Sequence, residues 1–293
     1  MRFEKWQALG NDYVILERDA LEFELTPARV RRICEAHLGV GADGVLELSR
    51  PHDPEDVADL RIFNPDGSEA ELSGNGAREA ILYLRRRGWT DQDSFSIHTL
   101  AGRIRPVITG PNSCRVDMGR AALSSQDFPG GPADGLGELE AAGCRWSFQH
   151  VCIGNPQCAI RLADEDRLEQ LDLAAVGPAI EGHELFPNRT NVSWYAEREP
   201  GAIRARIFER GVGETLSSGT GASGAAIAHV LERGLPAAGE SAGVTVALDG
   251  GELEVEVEVE GGPELRVHLS GWAVPVFAGE LSREFLQQLQ ELR

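Results

Sequence analysis

Two stretches of the chain have similar sequences and decide the fold: RIFNPDGSEAELSGNGAREAILYLRRRG (61–88) and RIFERGVGETLSSGTGASGAAIAHVLER (206–233). Both run from R-I-F through a glycine-rich S-G-x-G segment into apolar residues at helical spacing. The offset between them is 145 throughout, with no gap. Weaker matches follow the same order, LGND (9–12) with IGNP (153–156) and LAGRIRPV (100–107) with LDGGELEV (248–255). The pattern predicts that one structural unit occurs twice.

Each copy has the same plan of strands, a glycine-rich loop, a helix and further strands. We expect an α/β (α+β) fold of two pseudo-symmetric halves, each a sheet wrapped around a central helix, with a ligand cleft between them. The central helices are predicted over 77–88 and 222–234, and TVALDGGELEVEVEV (245–259) is typical of a hairpin. The predicted divisions are an N-terminal half (1–125) on which part of the C-terminal tail packs, a linker (126–143), a C-terminal half (144–275) and a C-terminal helix (276–293).

Composition narrows the functional class. The 293 residues are 42% apolar and 26% charged, which is enough for a sizeable core. The formal net charge of −19 disfavours nucleic acid and anionic membrane surfaces as partners. No apolar run approaches the ~18 residues of a membrane span. Five cysteines without a C-x-x-C pair predict free thiols in the cytoplasm. Seven histidines show no ligand spacing, so no metal site is predicted.

The two glycine-rich loops are the first candidate binding elements. Ser73-Gly74-Asn75-Gly76 and Ser218-Gly219-Thr220-Gly221 each precede a predicted helix, whose unpaired N–H groups and partial positive charge suit a carboxylate. The competing interpretation is a serine that only caps its helix. Neither loop matches a Walker A sequence or a full dinucleotide fingerprint. Two serines facing one carbon from opposite sides would suit a reaction in which one group removes a proton and the other returns it.

Six segments give the chain a resemblance to a known family: ALGNDYV (8–14), GVGADGV (39–45), RIFNPDGSEAELSGNGAR (61–78), IGNPQC (153–158), FPNRTNV (186–192) and FERGVGETLSSGTGA (208–222). From end to end the sequence resembles the diaminopimelate epimerases. The resemblance implies a cofactor-independent isomerase, without pyridoxal phosphate, that interconverts LL- and meso-diaminopimelate for lysine and peptidoglycan precursors. It implies a small zwitterionic amino acid as partner, and we also expect a homodimer.

The resemblance also implies site residues. Ser73 and Ser218 occupy the family's two catalytic positions, and Glu209 is a further catalytic candidate. Substrate contacts are expected from asparagines, loop residues and one ion pair: Asn11, Asn64, Gly74, Asn75, Asn155, Asn191, Glu209, Arg210, Gly219 and Thr220. Amides and N–H groups suit the carboxylates and ammonium groups of a zwitterion, and an arginine can pair with a carboxylate through two hydrogen bonds.

Three departures from the family pattern leave alternatives open. The family has cysteine at positions 73 and 218 and histidine at position 157, where this chain has Ser73, Ser218 and Gln157. An alcohol is a far weaker acid than a thiol. One alternative is a divergent isomerase of the same fold acting on another substrate, with Glu209, Asp43 or Glu69 as its base. The other is a homologue that binds an amino acid without turning it over.

Overall fold

The computed structural model of the protein describes residues 1–262 and 264–292, and the chain divides into two compact units. The first unit is Met1–Val116 with Gly271–Arg293, and the second is Asp117–Ser270. These divisions differ from those expected from the sequence. The segment predicted as a linker (126–143) contains a strand over Leu136–Ala141, and the segment predicted as a C-terminal helix (276–293) begins within a strand over Val274–Glu280. Turn-forming residues around a short strand gave that region the composition of a linker.

The first unit has one sheet, three α-helices and an antiparallel pair of strands outside that sheet. Its strands are β1 (Arg2–Ala8), β2 (Asn11–Glu17), β3 (Val45–Ser49), β4 (Ala58–Phe63), β5 (Glu69–Ala70), β6 (Ile97–Thr99), β7 (Gly102–Ile104), β8 (Val107–Gly110), the start of β9 (Ser113–Ala121) and, from the end of the chain, β19 (Val274–Glu280). Its helices are a short 3₁₀ turn (Arg18–Ala20), α1 (Pro27–Cys34), α2 (Gly74–Arg86) and α6 (Arg283–Glu291). The sheet order is β19-β1-β2-β3-β4-β6-β7, with β5 beside β4, and the pair outside it is β8 with the start of β9.

The C-terminal tail belongs to this first unit. Strand β19 pairs antiparallel with β1, and α6 lies beside α1, where Arg29 Nε donates to the carbonyl of Leu289 at 2.7 Å. Leu289 is fully buried, and Phe285 and Leu286 pack on the same apolar cluster as Val30 and Ile33. The apolar stripe of this short amphipathic helix therefore has its partner within the first unit.

The second unit contains the longer sheet. Its strands are the end of β9, β10 (Leu136–Ala141), β11 (Cys144–Cys152), β12 (Pro156–Arg161), β13 (Asn191–Glu199), β14 (Ala202–Glu209), β15 (Gly213–Thr215), β16 (Ser241–Leu248), β17 (Gly251–Val259) and β18 (Leu265–Trp272). Its helices are α3 (Glu165–Glu169), α4 (Leu173–Glu181) and α5 (Gly219–Arg233). The sheet order is β10-β11-β12-β13-β14-β16-β17-β18-β9, with β15 beside β14. The predicted hairpin is confirmed as β16–β17, in which Leu248 pairs with Gly251.

The sequence repeat is also a structural repeat. In each unit an R-I-F strand, β4 or β14, pairs with a short strand and leads to a central helix, α2 or α5. An ion pair recurs at the same offset, Arg61 with Glu69 at 2.8 Å and Arg206 with Glu214 at 2.5 Å. The mixed fold with two sheet-rich units is thus confirmed. None of the helices described in the two units is long and apolar enough to span a membrane.

Both central helices begin three residues earlier than the apolar periodicity suggested, at Gly74 and Gly219. The reason is that Ser73 and Ser218 are N-caps, each of which accepts a hydrogen bond from the N–H three residues later. Nearly every residue from Asn75 to Leu84 and from Gly219 to Val230 is buried. The glycines and alanines at these helix starts let strands approach closely from several sides.

Gly221 is one position where no side chain fits. A Cβ built there would lie 2.7 Å from Cδ1 and 2.9 Å from Cγ2 of Ile207, which is itself buried in β14. We expect Gly221→Ala to lower the free energy of unfolding by about 1–2 kcal/mol, because overpacking outweighs the helical preference for alanine.

Urea denaturation would measure the change, and Gly182→Ala is the matched control. A Cβ at Gly182, the C-cap of α4, meets only the carbonyl oxygen of Pro178 at 3.4 Å, an ordinary contact. We expect that variant to remain within about 0.5 kcal/mol of the parent. Equal stability of the two variants would contradict the close approach at Gly221.

Candidate active site

In the first unit, Ser73 lies between a helix start and a phenol. Its Oγ accepts the N–H of Gly76 at 3.1 Å and the hydroxyl of Tyr13 at 3.2 Å. Ser73 is half-buried, whereas Tyr13, in β2, is buried. The serine hydroxyl is therefore both a helix cap and the acceptor of a donor that can itself ionise.

Asn11 and Asn75 lie in a hydrogen-bonded network beside this helix start. A two-residue turn at Leu9 and Gly10, with φ of +54° and +83°, places Asn11 at the beginning of β2. The Nδ2 of Asn11 donates to Asp43 Oδ2 at 2.9 Å, and its Oδ1 accepts from Asn75 Nδ2 at 3.2 Å. The network brings two predicted substrate ligands together and holds both amides in fixed orientations.

Two buried charged residues support the same helix. Arg78 is completely buried, and its Nη2 donates to Asn75 Oδ1 at 2.5 Å. Glu79 is completely buried too, and burial raises the pKa of its carboxyl well above the ordinary value. Because Arg78 holds the amide of Asn75 from within α2, it supports the site.

Asn64 forms hydrogen bonds within its own turn. It is in the turn after β4, where its Nδ2 donates to Ser68 Oγ at 2.9 Å and its backbone N–H to the carbonyl of Ser68 at 2.8 Å. These are the bonds of an asparagine that stabilises its own turn. A role for Asn64 in substrate binding stays a prediction.

In the second unit, Ser218 has a carboxylate beside it. Its Oγ accepts the N–H of Gly221 at 3.2 Å and donates to Glu209 Oε2 at 3.0 Å, and only 4% of the residue is exposed. Burial raises the pKa of Glu209, an effect partly offset by the nearby hydroxyls of Thr215 and Ser218. A carboxylate with a raised pKa that touches a hydroxyl is typical of a general base.

A chain of amides and a hydroxyl lies at the start of α5. Gln157 Nε2 donates to Asn155 Oδ1 at 2.6 Å, and Asn155 Nδ2 donates to Thr220 Oγ1 at 3.4 Å. Gln157 is completely buried, with its side chain against Gly224, where a Cβ would lie 2.9 Å from Cβ of the glutamine. The glutamine therefore positions Asn155 and offers no titratable proton.

Asn191 and Arg210 meet at the ends of β13 and β14. Asn191 Oδ1 accepts the backbone N–H of Arg210 at 2.8 Å, and Arg210 Nη1 donates to the carbonyl of Asn188 at 2.9 Å. Arg210 is exposed, so part of its guanidinium faces solvent in a chain that is strongly acidic. Such a group can bind a carboxylate.

The structure separates the three bases considered for a divergent isomerase. Glu209 contacts Ser218, whereas Glu69 is paired with Arg61, which lowers the pKa of Glu69. Asp43 accepts hydrogen bonds from Asn11 and from the N–H of Asp12, so it orders the network. Of these three carboxylates, Glu209 has the environment that a proton acceptor needs.

Sequence reasoning missed Tyr13 as a partner of Ser73. A signal was present, because residues two apart in a strand share one face, and Tyr13 follows Asn11 by two positions. Thr215 was missed also, since its place beside Glu209 depends on the pairing of β15 with β14. The capping role that competes with a catalytic one is present for both Ser73 and Ser218, and their catalytic role stays a prediction.

Comparison with known proteins identifies a family whose sequences match this chain. The family model described as diaminopimelate epimerase matches residues 3–124 and 150–271. A diaminopimelate epimerase of Desulforudis audaxviator is 42% identical over 293 residues, covering 97% of this chain and 100% of the relative. One from Synechococcus sp. (strain JA-3-3Ab) is 39% identical over 287 residues, covering 95% and 97%.

Solved structures share the fold at low identity. A Bacillus anthracis phenazine biosynthesis protein of the PhzF family has a TM-score of 0.71 at 18% identity and covers 96% of this chain and 99% of its own. A hydroxyproline epimerase from Agrobacterium vitis has a TM-score of 0.66 at 16% identity, with coverage of 95% and 91%.

The isomerase class and the diaminopimelate epimerase family expected from the resemblance are confirmed by the named relatives and by the family model. The matches cover both units and contain both serine-capped helices. The chain therefore belongs to the diaminopimelate epimerase family.

Proposed function

We propose that this protein interconverts LL- and meso-diaminopimelate by moving one proton at the α-carbon, with Ser73 and Ser218 in the proton path. The observation that carries the proposal is that each serine hydroxyl has a second proton-carrying group hydrogen-bonded to it, Tyr13 at 3.2 Å and Glu209 at 3.0 Å. Inverting a carbon centre needs an acid and a base acting on opposite faces. Each unit supplies one such pair.

The proposed chemistry is a relay. In one direction the α-proton goes to Ser218 Oγ while the hydroxyl proton of Ser218 goes to Glu209. The carbanion then takes the hydroxyl proton of Ser73, which is replaced by the proton of Tyr13. The Cα–H bond that breaks is re-formed on the other face, and one proton has moved from Tyr13 to Glu209. The reverse reaction or exchange with water restores the starting state.

The partners of the serines matter because an alcohol alone is a poor base. Glu209 supplies a carboxylate whose pKa is raised by burial, and Tyr13 supplies a phenol, whose ordinary pKa of about 10 is closer to neutrality than that of an alkyl alcohol. The N–H of Gly221 and the N–H of Gly76 stabilise negative charge as it develops on either oxygen. The relay thereby places part of the acid–base work on groups behind the serines.

The substrate contacts follow from the fixed amides. Asn11, Asn75, Asn155 and Asn191, with the loop N–H groups of Gly74, Gly219 and Thr220, suit the carboxylates and ammonium groups of a zwitterion. The exposed guanidinium of Arg210 would pair with a carboxylate, and Asn64 is retained as a weaker candidate. A cytoplasmic location, a homodimer and the lack of a nucleic-acid partner remain predictions from the sequence.

Incubation with LL-diaminopimelate in D₂O tests the proposal directly. We expect meso product and deuterium at the α-carbon, and we expect Glu209→Gln to lower kcat by about 10²–10⁴-fold, because the amide cannot accept the proton. Glu199→Gln, at an exposed position in β13, is the control and should retain the parent rate. A parent enzyme that neither exchanges deuterium nor forms product, yet binds the substrate in calorimetry, would instead indicate a non-catalytic homologue.

The dependence of kcat/KM on pH gives a second test. In the proposed relay, the direction in which Ser218 takes the α-proton starts with Glu209 ionised and Tyr13 protonated, so protonation of Glu209 in the free enzyme removes the base that this direction needs. Because burial raises the pKa of Glu209, the rate should fall as the pH decreases through a value above the ordinary 4.5. An acid limb at or below 4.5 would exclude Glu209 as the buried base.

Replacing Tyr13 tests the other half of the relay. Tyr13→Phe should lower kcat while leaving the substrate KM within about twofold, since the tyrosine hydroxyl contacts Ser73.

Thiols at the two serine positions test whether the helix starts are built for proton transfer. A thiol at a helix N-terminus has a pKa below its free value of about 8.5, closer to neutrality than an alcohol. We therefore expect Ser73→Cys combined with Ser218→Cys to raise kcat by at least about tenfold in the same assay. Adding Gln157→His distinguishes a positioning role for this residue from a catalytic one. A double-cysteine protein no faster than the parent would contradict the proposed path.

A further inference from the structure

Three side chains that can bind a metal ion converge where β4 and β6 pair in the first unit's sheet. They are His52, Asp59 and His98, and one ligand atom from each lies within 4.8 Å of the other two. Among residues 1–262 and 264–292 this is the one group of at least three histidine, cysteine or carboxylate side chains so arranged. Its members are far apart in the sequence and are assembled by the fold.

Strand pairing places two of the three. Asp59 in β4 and His98 in β6 are register partners in a parallel pair. His52 lies in the loop before β4. This loop turns back toward the strand, and the backbone N–H of His52 donates to Asp59 Oδ2 at 3.1 Å. Its Nδ1 is 2.9 Å from Asp59 Oδ1, and its ring is 4.6 Å from that of His98 at 80°. These contacts hold the three groups together before any ion is bound.

The surrounding charge favours a cation. On the next strand Arg103 is the register partner of His98, and its guanidinium contacts Asp53 at 2.6 Å, Asp56 at 2.8 Å and Glu55 at 3.0 Å. Three carboxylates therefore surround one cationic group, and Asp59 adds a fourth negative charge. The excess of negative charge attracts a divalent ion to this side of the sheet.

We propose that His52, Asp59 and His98 form a binding site for a divalent ion of the zinc class. Two imidazoles and a carboxylate are ligands that Zn²⁺ accepts, and a fourth position would be left for water. Tetrahedral ligands at zinc distances are about 3.3 Å apart, so side-chain rotations that move the ligand atoms by up to about 1.5 Å would complete the site. His52 is 61% exposed, which leaves the ions a direct path. The bound ion would fasten the loop before β4 to β6.

Calorimetric titration of the full chain with Zn²⁺ tests this site. Because Cys144 is an exposed thiol that could itself bind zinc, the parent for the experiment carries Cys144→Ser. We expect one ion per chain, and we expect His98→Ala and Asp59→Asn each to weaken binding at least about tenfold, since even outer-shell changes cost that much. His37→Ala, at an exposed histidine of the same unit, is the matched control and should leave the affinity unchanged.

Histidine ring signals in NMR spectra keep the test decisive if a variant folds poorly. In the Cys144→Ser parent, Zn²⁺ should shift the ring signals of His52 and His98 and leave that of His37 in place. Binding of equal strength to the parent and to a His52→Ala/His98→Ala protein would overturn the proposal, as would shifts at other histidines only. Failure here would leave the epimerase proposal untouched, because none of these residues contacts Ser73 or Ser218.

Discussion

One hydrogen bond supports the candidate site residues of each unit. It joins a helix N–H to a serine hydroxyl at the start of the central helix. In α2 the donor is Gly76 and the acceptor is Ser73, and in α5 they are Gly221 and Ser218. The bond fixes where each helix begins and so which backbone N–H groups stay unpaired at its end. The requirement for close approach at Gly221, where Ile207 leaves no room for a Cβ, positions the same turn against β14.

A single hydroxyl thus has two roles. As a cap it stabilises the helix, typically by about 1 kcal/mol. As a group at a helix N-terminus it also lies where backbone N–H groups favour a negatively charged oxygen. A substitution that removes the hydroxyl would therefore change stability and chemistry together, which is why variants at Glu209 and Tyr13 separate the two roles better than serine-to-alanine changes do.

Much of the architecture could be predicted from the sequence because the repeat makes local patterns reinforce one another. The R-I-F strands, the glycine-rich loops, the central helices and the β16–β17 hairpin all have signals within a few residues. The family could be predicted for the same reason. The sequence indicated that part of the C-terminal tail packs on the first half, but not that it does so as strand β19 paired with β1. It also did not indicate the strand β10 within a segment of linker composition or the assembly of His52, Asp59 and His98, which depend on strand order.

The candidate site shows the same limit at finer scale. Ser218 and Glu209 were each predicted, but their contact at 3.0 Å requires the turn between β14 and α5 to fold back. Tyr13 was identified only as part of a motif. Its hydrogen bond to Ser73 joins β2 to the start of α2, and residues so far apart in the sequence give no local signal of such a contact. Pairwise placement of side chains is a tertiary property that residue spacing within one strand only partly encodes.

The repeat also explains how two copies of one unit can act as unlike partners. Position 64 of the first copy corresponds to position 209 of the second, and position 13 corresponds to position 157. The first unit has Asn64 and Tyr13 at these places, and the second has Glu209 and Gln157. Each unit therefore has one amide and one proton carrier, but at exchanged positions. The amide Asn64 corresponds to the proton carrier Glu209, and the proton carrier Tyr13 corresponds to the amide Gln157.

That exchange has a chemical consequence. If both units carried the carboxylate, two groups of similar pKa would be protonated over the same pH range, and neither would be distinguished as the proton donor. A carboxyl group ordinarily has a pKa several units below that of a phenol, so a carboxylate in one unit and a phenol in the other suit the roles of proton acceptor and proton donor. In the proposed relay the two serines are chemically identical, so the residue hydrogen-bonded to each hydroxyl would assign the roles of base and acid.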